Sequence, residues 1–322
     1  MYNDQSNALG EFIFQSKYAR YNPDLKRKET FEESVDRILQ MHIKHLGDEY
    51  PEALNNAEFN NDFLEAFDEY KKATVYGSQR ALQFGGDPIL KKNEKIFNCS
   101  YTYIDDLERF KQIEYLLLCG CGVGCSVEYK HVNLLPEMPE TLNSSIEEYV
   151  IGDSIEEWSK AIDQLIQHYF NSNISYPKFD YSKIRPEGSL ISSGFLAPGP
   201  EGLRSALNKI DSLLDSVHKT TRRLSPLNCA DILSHCADSI LSGGVRRSAL
   251  AILFSPNDEE MYNSKVGNWF YDNPQRGRYN ASVALERSDN NKEVFNKIFE
   301  STKEYGEPGF FFRSDSGVGC NP

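Results

Sequence analysis

The sequence predicts an α/β fold built around a mostly parallel sheet or barrel. Helix-period runs and short β-prone runs alternate along its second half, and this alternation is typical of sheets whose strands are joined by helices. The chain has 322 residues and a hydrophobic content of 39%, which is enough for one large domain or two ordinary ones. We therefore expect a globular protein with a substantial core.

The first 75 residues are predicted to form a helical segment. Thr30 and Glu33 have capping-box spacing, in which two side chains satisfy the first backbone N–H groups of a helix. The residues that then fall on one face at helical period are Phe31, Val35, Ile38, Leu39 and His42. A second helix is predicted through Phe63, Leu64, Phe67 and Tyr70. After residue 75 the chain becomes rich in turns, with short β-prone pieces around Gly85-Gly86.

The middle of the chain is predicted to hold one regular helix before an irregular insertion. Leu107, Phe110, Ile113, Leu116 and Leu117 mark that helix, and the glycines of CGCGVGC end it. Residues 128–200 are rich in Pro, Asn and Ser, with one helix signalled by a capping box at Ser154 and Glu157. Further helices are predicted at 201–219, 226–241, 257–265 and 291–304, and strands at RRSALAILF, NASVAL and GFFFR.

The charge balance narrows the possible partners. Forty-eight acidic and thirty-five basic residues give a net charge of −13, which argues against a general binder of phosphate backbones, so we expect no nucleic acid partner. The sequence MYNDQSNALGEF has no targeting pattern, and about 18 apolar residues never run together. We expect a cytoplasmic protein with no membrane partner.

The seven cysteines leave three possibilities open. An odd number without an export signal argues against a disulfide framework, so thiol chemistry, metal binding or simple burial remain. Cys99 lies on a predicted strand. It is either a small buried hydrophobic residue or a reactive thiol. The cluster of Cys119, Cys121 and Cys125 contains no CxxC turn and has no second pair at matching distance, which disfavours a zinc or iron–sulfur site.

Two glycine-containing stretches are candidate binding elements. Gly122-Val123-Gly124 follows a predicted helix, and glycine lets backbone approach a ligand closely, although a tight helix stop has the same pattern. The second stretch comprises Gly243, Gly244, Arg246, Arg247 and Ser248. Arginine suits nucleotide recognition because its guanidinium is planar and donates in pairs. The alternative is an ordinary turn with exposed arginines.

Read in order, five stretches resemble the catalytic subunit of ribonucleotide reductases, most closely the adenosylcobalamin-dependent, monomeric class II type. They are SKYARYNPDLKRKETFEESVDRI, RALQFGG with IFNCSY, GCGVGCSV, IRPEGSLISSGFLAPGPEGL and GGVRRSALAILFSP. The resemblance implies the N-terminal half of a ten-stranded α/β barrel at residues 76–322. A helical segment at 1–75 would precede it, and an insertion at about 128–185 would bind an allosteric effector.

The resemblance also implies an activity. Such an enzyme converts ribonucleotides, here triphosphates rather than diphosphates, to deoxyribonucleotides by thiyl-radical chemistry. It would use adenosylcobalamin, whose site would lie mostly on another chain, a dNTP or ATP effector and a thioredoxin-like reductant. Two alternatives are a non-catalytic dNTP-binding regulator and a cysteine-rich metal-binding protein.

The resemblance assigns roles to individual residues. Cys99 would be one member of the redox cysteine pair, and Asn98 and Gln83 would lie beside the substrate, Gln83 in a strand before Gly85-Gly86. Cys121, Gly122 and Val123 would face the ribose through their main chain. Gly243, Gly244, Arg246, Arg247 and Ser248 would form the loop that conveys effector identity.

The last residues of the sequence carry a further expectation. In the family, the finger loop contains Asn, one further residue and then Cys-x-Glu, which supplies the radical cysteine and a catalytic glutamate. The sequence provides Asn321, which would position the substrate hydroxyl, and then Pro322. Cys320 precedes that Asn, so the pattern disfavours it as the radical residue. We expect a complementary chain beginning near Cys-x-Glu, either as a separate polypeptide or joined by protein splicing.

Overall fold

The structure, a computed structural model, describes residues 4–189, 196–240, 249–287 and 292–313. The expectations for Gly243, Gly244, Arg246, Arg247, Ser248, Cys320 and Asn321 lie outside these residues. The described residues divide into two compact units, one up to Asn98 and the other from Cys99 onward.

The N-terminal unit is mainly helical. Its elements are α1 (Asp4–Lys17), β1 (Tyr21–Asn22), β2 (Arg27–Lys28), α2 (Phe31–Glu49), α3 (Pro51–Asn55), α4 (Ala57–Lys71), α5 (Gln79–Phe84) and α6 (Asp87–Lys91). The predicted capping box starts α2: the Glu33 N–H donates to Thr30 Oγ1 at 3.2 Å, and the Thr30 N–H donates to the Glu33 carboxylate at 2.8 Å. Val35, Ile38 and Met41 of this helix are buried in the core of the unit.

The strand predicted around Gln83 is wrong, because residues Gln79–Phe84 form α5. Ser78 caps this helix by accepting a hydrogen bond from the Arg80 N–H at 3.2 Å. Ala81, Leu82 and Phe84 are buried, and they pack in the same core as α2. A six-residue apolar run fits a helix or a strand equally well in sequence, and the Ser78 cap and this packing favour the helix.

The second unit alternates strands and helices. Its elements in chain order are β3 (Cys99–Tyr103), α7 (Glu108–Leu118), β4 (Gly122–Ser126), α8 (Tyr129–Val132), β5 (Ile146–Val150), α9 (Ile155–Phe170), β6 (Tyr176–Asp180), α10 (Glu201–Lys219), α11 (Pro226–Ser239), β7 (Leu250–Phe254), α12 (Glu259–Tyr262), α13 (Trp269–Asp272), β8 (Tyr279–Glu286), α14 (Lys292–Tyr305) and β9 (Gly309–Arg313). The predicted α/β class with a parallel sheet is confirmed, since five strands pair in parallel in the order β3-β4-β7-β8-β9.

The register of this sheet is strongly staggered. One continuous row of paired residues runs from Tyr103, the last residue of β3, through Ser126, Leu253 and Ser282 to Gly309, the first residue of β9. The strands are thus shifted along their axes across the sheet, so that the last residue of β3 lies on the same row as the first residue of β9. A stagger of this kind accompanies strand tilt in sheets that curve.

The insertion is more regular than predicted. β5 and β6 pair in parallel, with Ile146 opposite Tyr176 and Val150 opposite Asp180, and α9 connects them. Ser154 caps α9 as expected, accepting a hydrogen bond from the Glu157 N–H at 3.3 Å. The sequence did not predict β5 because its residues IEEYV are almost all exposed and lack the alternation of a half-buried strand.

One face of the five-stranded sheet carries the core of the second unit. Val123, Cys125, Ile252, Phe254 and Val283 project from this face and are fully buried. Helices α7, α9, α10 and α11 contribute most of the other buried residues of the same cluster. Within the described ranges, no helix is both long and apolar enough to span a lipid bilayer.

Candidate functional site

Cys99 and Gly122 lie opposite each other at the amino ends of β3 and β4. Cys99 is the first residue of β3, which confirms the predicted strand. The residue is half-buried, so part of it is accessible. Residues paired across neighbouring strands project from the same face of a sheet. Because Gly122 has no side chain, no Cβ projects from β4 on the side where Cys99 lies, although Gly122 itself is buried.

The face that carries Cys99, here called the small-residue face, is the opposite of the core face. Alternation along the five strands puts the following residues on its amino-terminal half: Cys99, Tyr101, Gly122, Gly124, Ala251, Asn280, Ser282 and Gly309. Apart from Tyr101 these side chains are small, and Ser282 and Asn280 offer polar groups; Asn280 is exposed, whereas Gly122 and Gly124 are buried. This face can therefore admit a polar ligand or an extended segment of polypeptide close to the backbone.

Cys121 does not share this face. It is buried, and its Sγ lies 3.6 Å from the Ser100 Oγ and 3.4 Å from the Gly122 carbonyl oxygen. Ser100 pairs with Val123, whose side chain is in the core. The Cys121 thiol thus lies on the core side of the sheet, so only its main chain could contact a ligand beside Cys99.

The predicted glycine turn is the beginning of a strand. Gly122, Val123 and Gly124 all belong to β4. The Cys121 N–H donates to the Leu116 carbonyl at 2.9 Å, and the Val123 N–H donates to the Ala249 carbonyl at 2.7 Å. These two donors are therefore used inside the fold, and Ala249 directly follows the arginine-containing stretch 241–248 in the chain.

Asn98 and Gln83 lie in the N-terminal unit. Asn98 directly precedes Cys99 in the chain. The Gln83 carbonyl accepts hydrogen bonds from Arg20 Nε at 2.9 Å and Arg20 Nη2 at 2.8 Å, and its side-chain amide donates to the Lys17 carbonyl at 3.4 Å. These bonds hold Gln83 against residues of its own unit.

Three other cysteines have the properties of buried hydrophobic residues. Cys125, Cys229 and Cys236 are fully buried. Burial raises the pKa of the Cys125 thiol to about 12 and raises the pKa values of Cys229 and Cys236 as well, so all three are protonated thiols at neutral pH. Across the described part of the chain, no three His, Cys, Asp or Glu side chains gather as a group that could hold a metal ion.

A buried ion pair at the carboxyl ends of the strands was missed by the sequence analysis. The guanidinium of Arg313, the last residue of β9, contacts the carboxylate of Glu128, two residues after β4, and their side chains are only 6% and 8% exposed. Ser126 Oγ donates to Glu128 at 2.7 Å, and Arg313 also lies 3.3 Å from Glu286. This contact crosses two intervening strands, which favours a sheet curved toward the small-residue face.

The electrostatics of this pair follow from its burial. Burial alone would raise the pKa of Glu128, but the bonds from Arg313 and Ser126 outweigh it and hold the pKa below its ordinary value. Glu128 is therefore charged at neutral pH. The one sequence signal for this contact is that Glu128 and Arg313 each lie at the carboxyl end of a strand, and these ends share one edge of a parallel sheet.

Comparison with known proteins gives the context of this geometry. The chain is 26% identical to an adenosylcobalamin-dependent ribonucleoside-triphosphate reductase of Lactobacillus gasseri over 94% of its own length and 48% of that protein. It is 24% identical to a probable adenosylcobalamin-dependent ribonucleoside-triphosphate reductase of Dictyostelium discoideum, covering 94% of the chain and 42% of that protein. The resemblance inferred from the sequence is confirmed.

A phage protein and a solved structure agree with these relatives. A putative adenosylcobalamin-dependent ribonucleoside-triphosphate reductase of Mycobacterium phage D29 is 23% identical over 96% of the chain and 51% of that protein. A crystal structure of a B12-dependent class II ribonucleotide reductase superposes with a TM-score of 0.78 at 22% identity, covering 95% of this chain and 50% of the other. The chain thus shares the fold of that protein and spans about half the length of the curated relatives it matches. No model of a protein family matches it.

Proposed function

We propose that this chain is the N-terminal portion of an adenosylcobalamin-dependent ribonucleotide reductase that reduces ribonucleotides, as triphosphates, to deoxyribonucleotides. The observation that carries the proposal is the position of Cys99 opposite Gly122 on the small-residue face of a staggered parallel sheet. The similarity to named reductases along 94% of the chain supports it. Such an enzyme would work in the cytoplasm, with neither nucleic acid nor membrane as a partner.

Cys99 would supply reducing equivalents to the substrate. In the overall reaction two thiols are oxidised to a disulfide, the C2′–O bond of the ribose is replaced by C2′–H, and the oxygen leaves as water. Cys99 would be one of those thiols, and its half-buried position on a strand leaves part of the residue accessible. The second thiol belongs to residues outside this chain, and a thioredoxin-like protein reduces the resulting disulfide.

The residues around Cys99 would hold the nucleotide. The absence of side chains at Gly122 and Gly124 supports a ribose lying against β4, where the main chain of Cys121, Gly122 and Val123 lines the site. Asn98 and Gln83 would contact the substrate from the chain segment that leads into β3. Asn321 would position the substrate hydroxyl together with the glutamate of the finger loop.

The cofactor is assigned to the remaining part of the enzyme. The groups near Cys99 are thiols, hydroxyls and main chain, and no metal-ligating cluster occurs among the described residues. This set fits a ribose better than it fits a corrin, so we place no cobalamin contact on the described residues. When bound, adenosylcobalamin supplies the radical that generates the thiyl radical on the finger-loop cysteine.

Effector control would reach the substrate through the stretch 241–248. Gly243, Gly244, Arg246, Arg247 and Ser248 would convey the identity of a dNTP or ATP effector bound near the insertion at 128–185. The hydrogen bond from the Val123 N–H to the Ala249 carbonyl supports this, because it joins the end of that stretch to the strand beside Cys99. A change at residue 248 would therefore be transmitted to β4.

The finer architecture also belongs to this proposal. The five parallel strands would form half of a ten-stranded barrel at 76–322, preceded by the helical segment 1–75. The stagger of the strands and the Glu128–Arg313 contact support closure around the small-residue face. A complementary chain beginning near Cys-x-Glu would provide the radical cysteine, the glutamate and the remaining strands, whether it is separate or joined by splicing.

The test is reconstitution of activity. The chain is mixed with the candidate polypeptide from the same source that begins near Cys-x-Glu, a ribonucleoside triphosphate, a dithiol and adenosylcobalamin, and deoxynucleotide is measured by chromatography. We expect product only when all components are present, and none with Cys99→Ser. Ser100→Ala, on the opposite face of the same strand, is the matched control and retains activity.

The outcome also separates the alternative functions. Saturable dNTP binding without turnover in any mixture would favour a non-catalytic regulator. Turnover by this chain without the second polypeptide would contradict the proposed division of the active site.

A further inference from the structure

The N-terminal unit contains a cationic cleft that the proposed function does not use. Its volume is about 560 Å³, within the range of roughly 300–1,000 Å³ that small-molecule sites occupy. Four cationic side chains line it: Arg20, Arg37, Lys44 and Lys91. Its remaining lining residues are Gln40, Met41, Gly86, Asp87, Pro88 and Leu90. A cleft lined by four cations and one carboxylate contrasts with a chain whose net charge is −13.

Only one of the two arginine side chains is bonded to the nearby carboxylate of Glu29. Arg37 is fully paired with Glu29, its Nε and Nη2 each lying 2.8 Å from a carboxylate oxygen. The Arg20 guanidinium donates to a neutral acceptor, the Gln83 carbonyl, at 2.9 and 2.8 Å. One positive charge is therefore left over in a half-buried position.

The charge on Arg20 persists at neutral pH. Burial and the neighbouring Arg37 lower the pKa of Arg20 to about 10, which still leaves the guanidinium protonated. A partly desolvated cation without a carboxylate of its own is stabilised by an anion that enters the cleft.

The two lysines lie at the exposed rim of the cleft. Lys44 Nζ is 2.7 Å from Asp48, and Lys91 Nζ is 3.8 Å from Asp87, with all four side chains largely exposed. Exposed ion pairs of this kind are weak and exchange readily with water or other ions. Both ammonium groups can therefore turn toward a phosphate in the cleft.

The geometry of the arginines is fixed before any ligand binds. Arg37 donates to the Gly85 carbonyl at 2.9 Å and to the Leu82 carbonyl at 2.8 Å. A side chain at position 85 would meet the Ala81 carbonyl oxygen at 2.4 Å and Arg37 Nη1 at 3.2 Å, so only glycine permits this approach. The Gly85-Gly86 pair thus has a structural reason to be here, and it holds a guanidinium at the wall of the cleft.

We propose that this cleft binds a phosphorylated small molecule of nucleotide size through its phosphate groups, with Arg20 as the principal ligand and Lys44 and Lys91 as supporting ones. Guanidinium and ammonium groups are the usual phosphate ligands of proteins. Met41, Pro88 and Leu90 provide apolar surface for the rest of the molecule. None of the residues assigned to substrate or effector lines this cleft, although Arg20 donates to the main-chain carbonyl of Gln83, and the proposal stands whether or not the chain is a reductase.

The test is titration calorimetry of the full chain with three probes at low ionic strength. The probes are ATP, inorganic tripolyphosphate and adenosine. We expect saturable binding of ATP and tripolyphosphate, weakened by added salt, and no binding of adenosine that depends on Arg20. Tighter binding of ATP than of tripolyphosphate identifies a nucleotide, whereas equal affinity identifies the phosphate groups alone as the ligand.

Variants locate the binding in the cleft. Arg20→Gln should weaken tripolyphosphate binding by about 10-fold or more, as expected for a charged hydrogen-bond donor. The double variant Lys44→Gln/Lys91→Gln should weaken it without touching the bonds of Arg20 to Gln83, so it remains informative if Arg20→Gln unfolds the unit. Lys72→Gln is the control, because Lys72 pairs with Glu69 outside the cleft. No saturable binding, or binding that neither Arg20→Gln nor the double lysine variant changes, would overturn the proposal.

Discussion

Glu114 on α7 accepts a hydrogen bond from Ser239 on α11, with 3.0 Å between Glu114 Oε1 and Ser239 Oγ, and both residues are fully buried. Its other oxygen, Oε2, has no hydrogen-bond partner among the described residues. Burial raises the pKa of this carboxyl from its ordinary 4.5 to about 8, although the contacts from Ser239 and Cys236 oppose the shift. Glu114 is therefore a neutral acid at physiological pH.

The raised pKa of Glu114 predicts a pH dependence of stability. Between its ordinary pKa and about 8 the folded state holds a proton that the unfolded state has released. The stabilisation is complete below the unfolded pKa and is lost as pH rises toward the folded one. Glu114→Gln removes this contribution, so the free energy of unfolding should fall less steeply between about pH 5 and pH 8 than in the wild type. Urea denaturation at several pH values measures the slope.

The matched control for this prediction is Glu108→Gln. Glu108 lies on the same helix, but its side chain is 57% exposed, so its replacement should leave the slope as in the wild type. Equal slopes for Glu114→Gln and the wild type would show that Glu114 is ionised in the folded chain.

Replacing Arg313 with an uncharged residue should greatly reduce the free energy of unfolding, because Arg313 forms a buried ion pair with Glu128. Arg313→Met removes the buried cation of Glu128 and leaves it with the exposed Lys130, 3.6 Å away, and breaking a buried pair in this way costs about 3–5 kcal/mol. The comparison variant is Arg27→Met, which breaks the ion pair between Arg27 and Glu33; these atoms are 2.7 Å apart and the two side chains are 46% and 38% exposed. That exposed pair should contribute little. A similar loss in both variants, measured by urea denaturation, would refute the distinction.

Acid should weaken the same pair. The pKa of Glu128 lies below its ordinary value, so its stabilisation is present above the unfolded pKa and is lost as pH falls through the folded one. In the double variant Glu128→Gln/Arg313→Met, stability should fall less between neutral pH and about pH 3 than in the wild type. If the free energy of unfolding of the double variant falls as much between neutral pH and about pH 3 as that of the wild type, this prediction is wrong.

Thiol accessibility predicts an order of chemical modification. Cys99 is half-buried, whereas Cys125, Cys229 and Cys236 are fully buried and have raised pKa values. Iodoacetamide should therefore label Cys99 in the native chain and reach the other three only after unfolding. Peptide mapping by mass spectrometry gives the order directly. Labelling of Cys229 before Cys99 would contradict the described packing.

A methyl group at position 122 should obstruct the proposed site. Gly122→Ala places a Cβ on the small-residue face directly beside Cys99. In the reconstituted enzyme we expect KM for the ribonucleotide to rise by at least about 10-fold. The control is Gly10→Ala in α1, where an added Cβ has nothing within 4 Å. An unchanged KM for Gly122→Ala would mean that the substrate does not approach β4.

The sequence predicted those features that depend on neighbouring residues. The helix starts at Thr30 and Ser154 could be predicted because each capping side chain bonds the backbone N–H of a residue only three positions later. Cys99 was predicted on a strand because the run CSYTY favours one. The segment around Gln83 was predicted wrongly because a short apolar run suits either element, and the packing of Ala81 and Phe84 decides between them.

Features that depend on distant residues could not be read from the sequence. Glu128 and Arg313 are 185 positions apart, and nothing local to either indicates the other. The opposition of Cys99 and Gly122 depends on the register between β3 and β4, which only the assembled sheet defines. The cationic cleft likewise arises only in the folded unit, where Arg20 and Arg37 both donate hydrogen bonds to carbonyl groups of α5, at Gln83 and Leu82.

The location of Cys99 within a strand, rather than in a loop, limits how its sulfur can react. Its Cα is fixed by pairing along the ladder with Gly122, and a disulfide needs the two Cα atoms roughly 4.4–6.8 Å apart. If Cys99 belongs to the proposed thiol pair, the second sulfur would have to be brought to this distance above the small-residue face, because the pairing of β3 with β4 holds Cys99 in place.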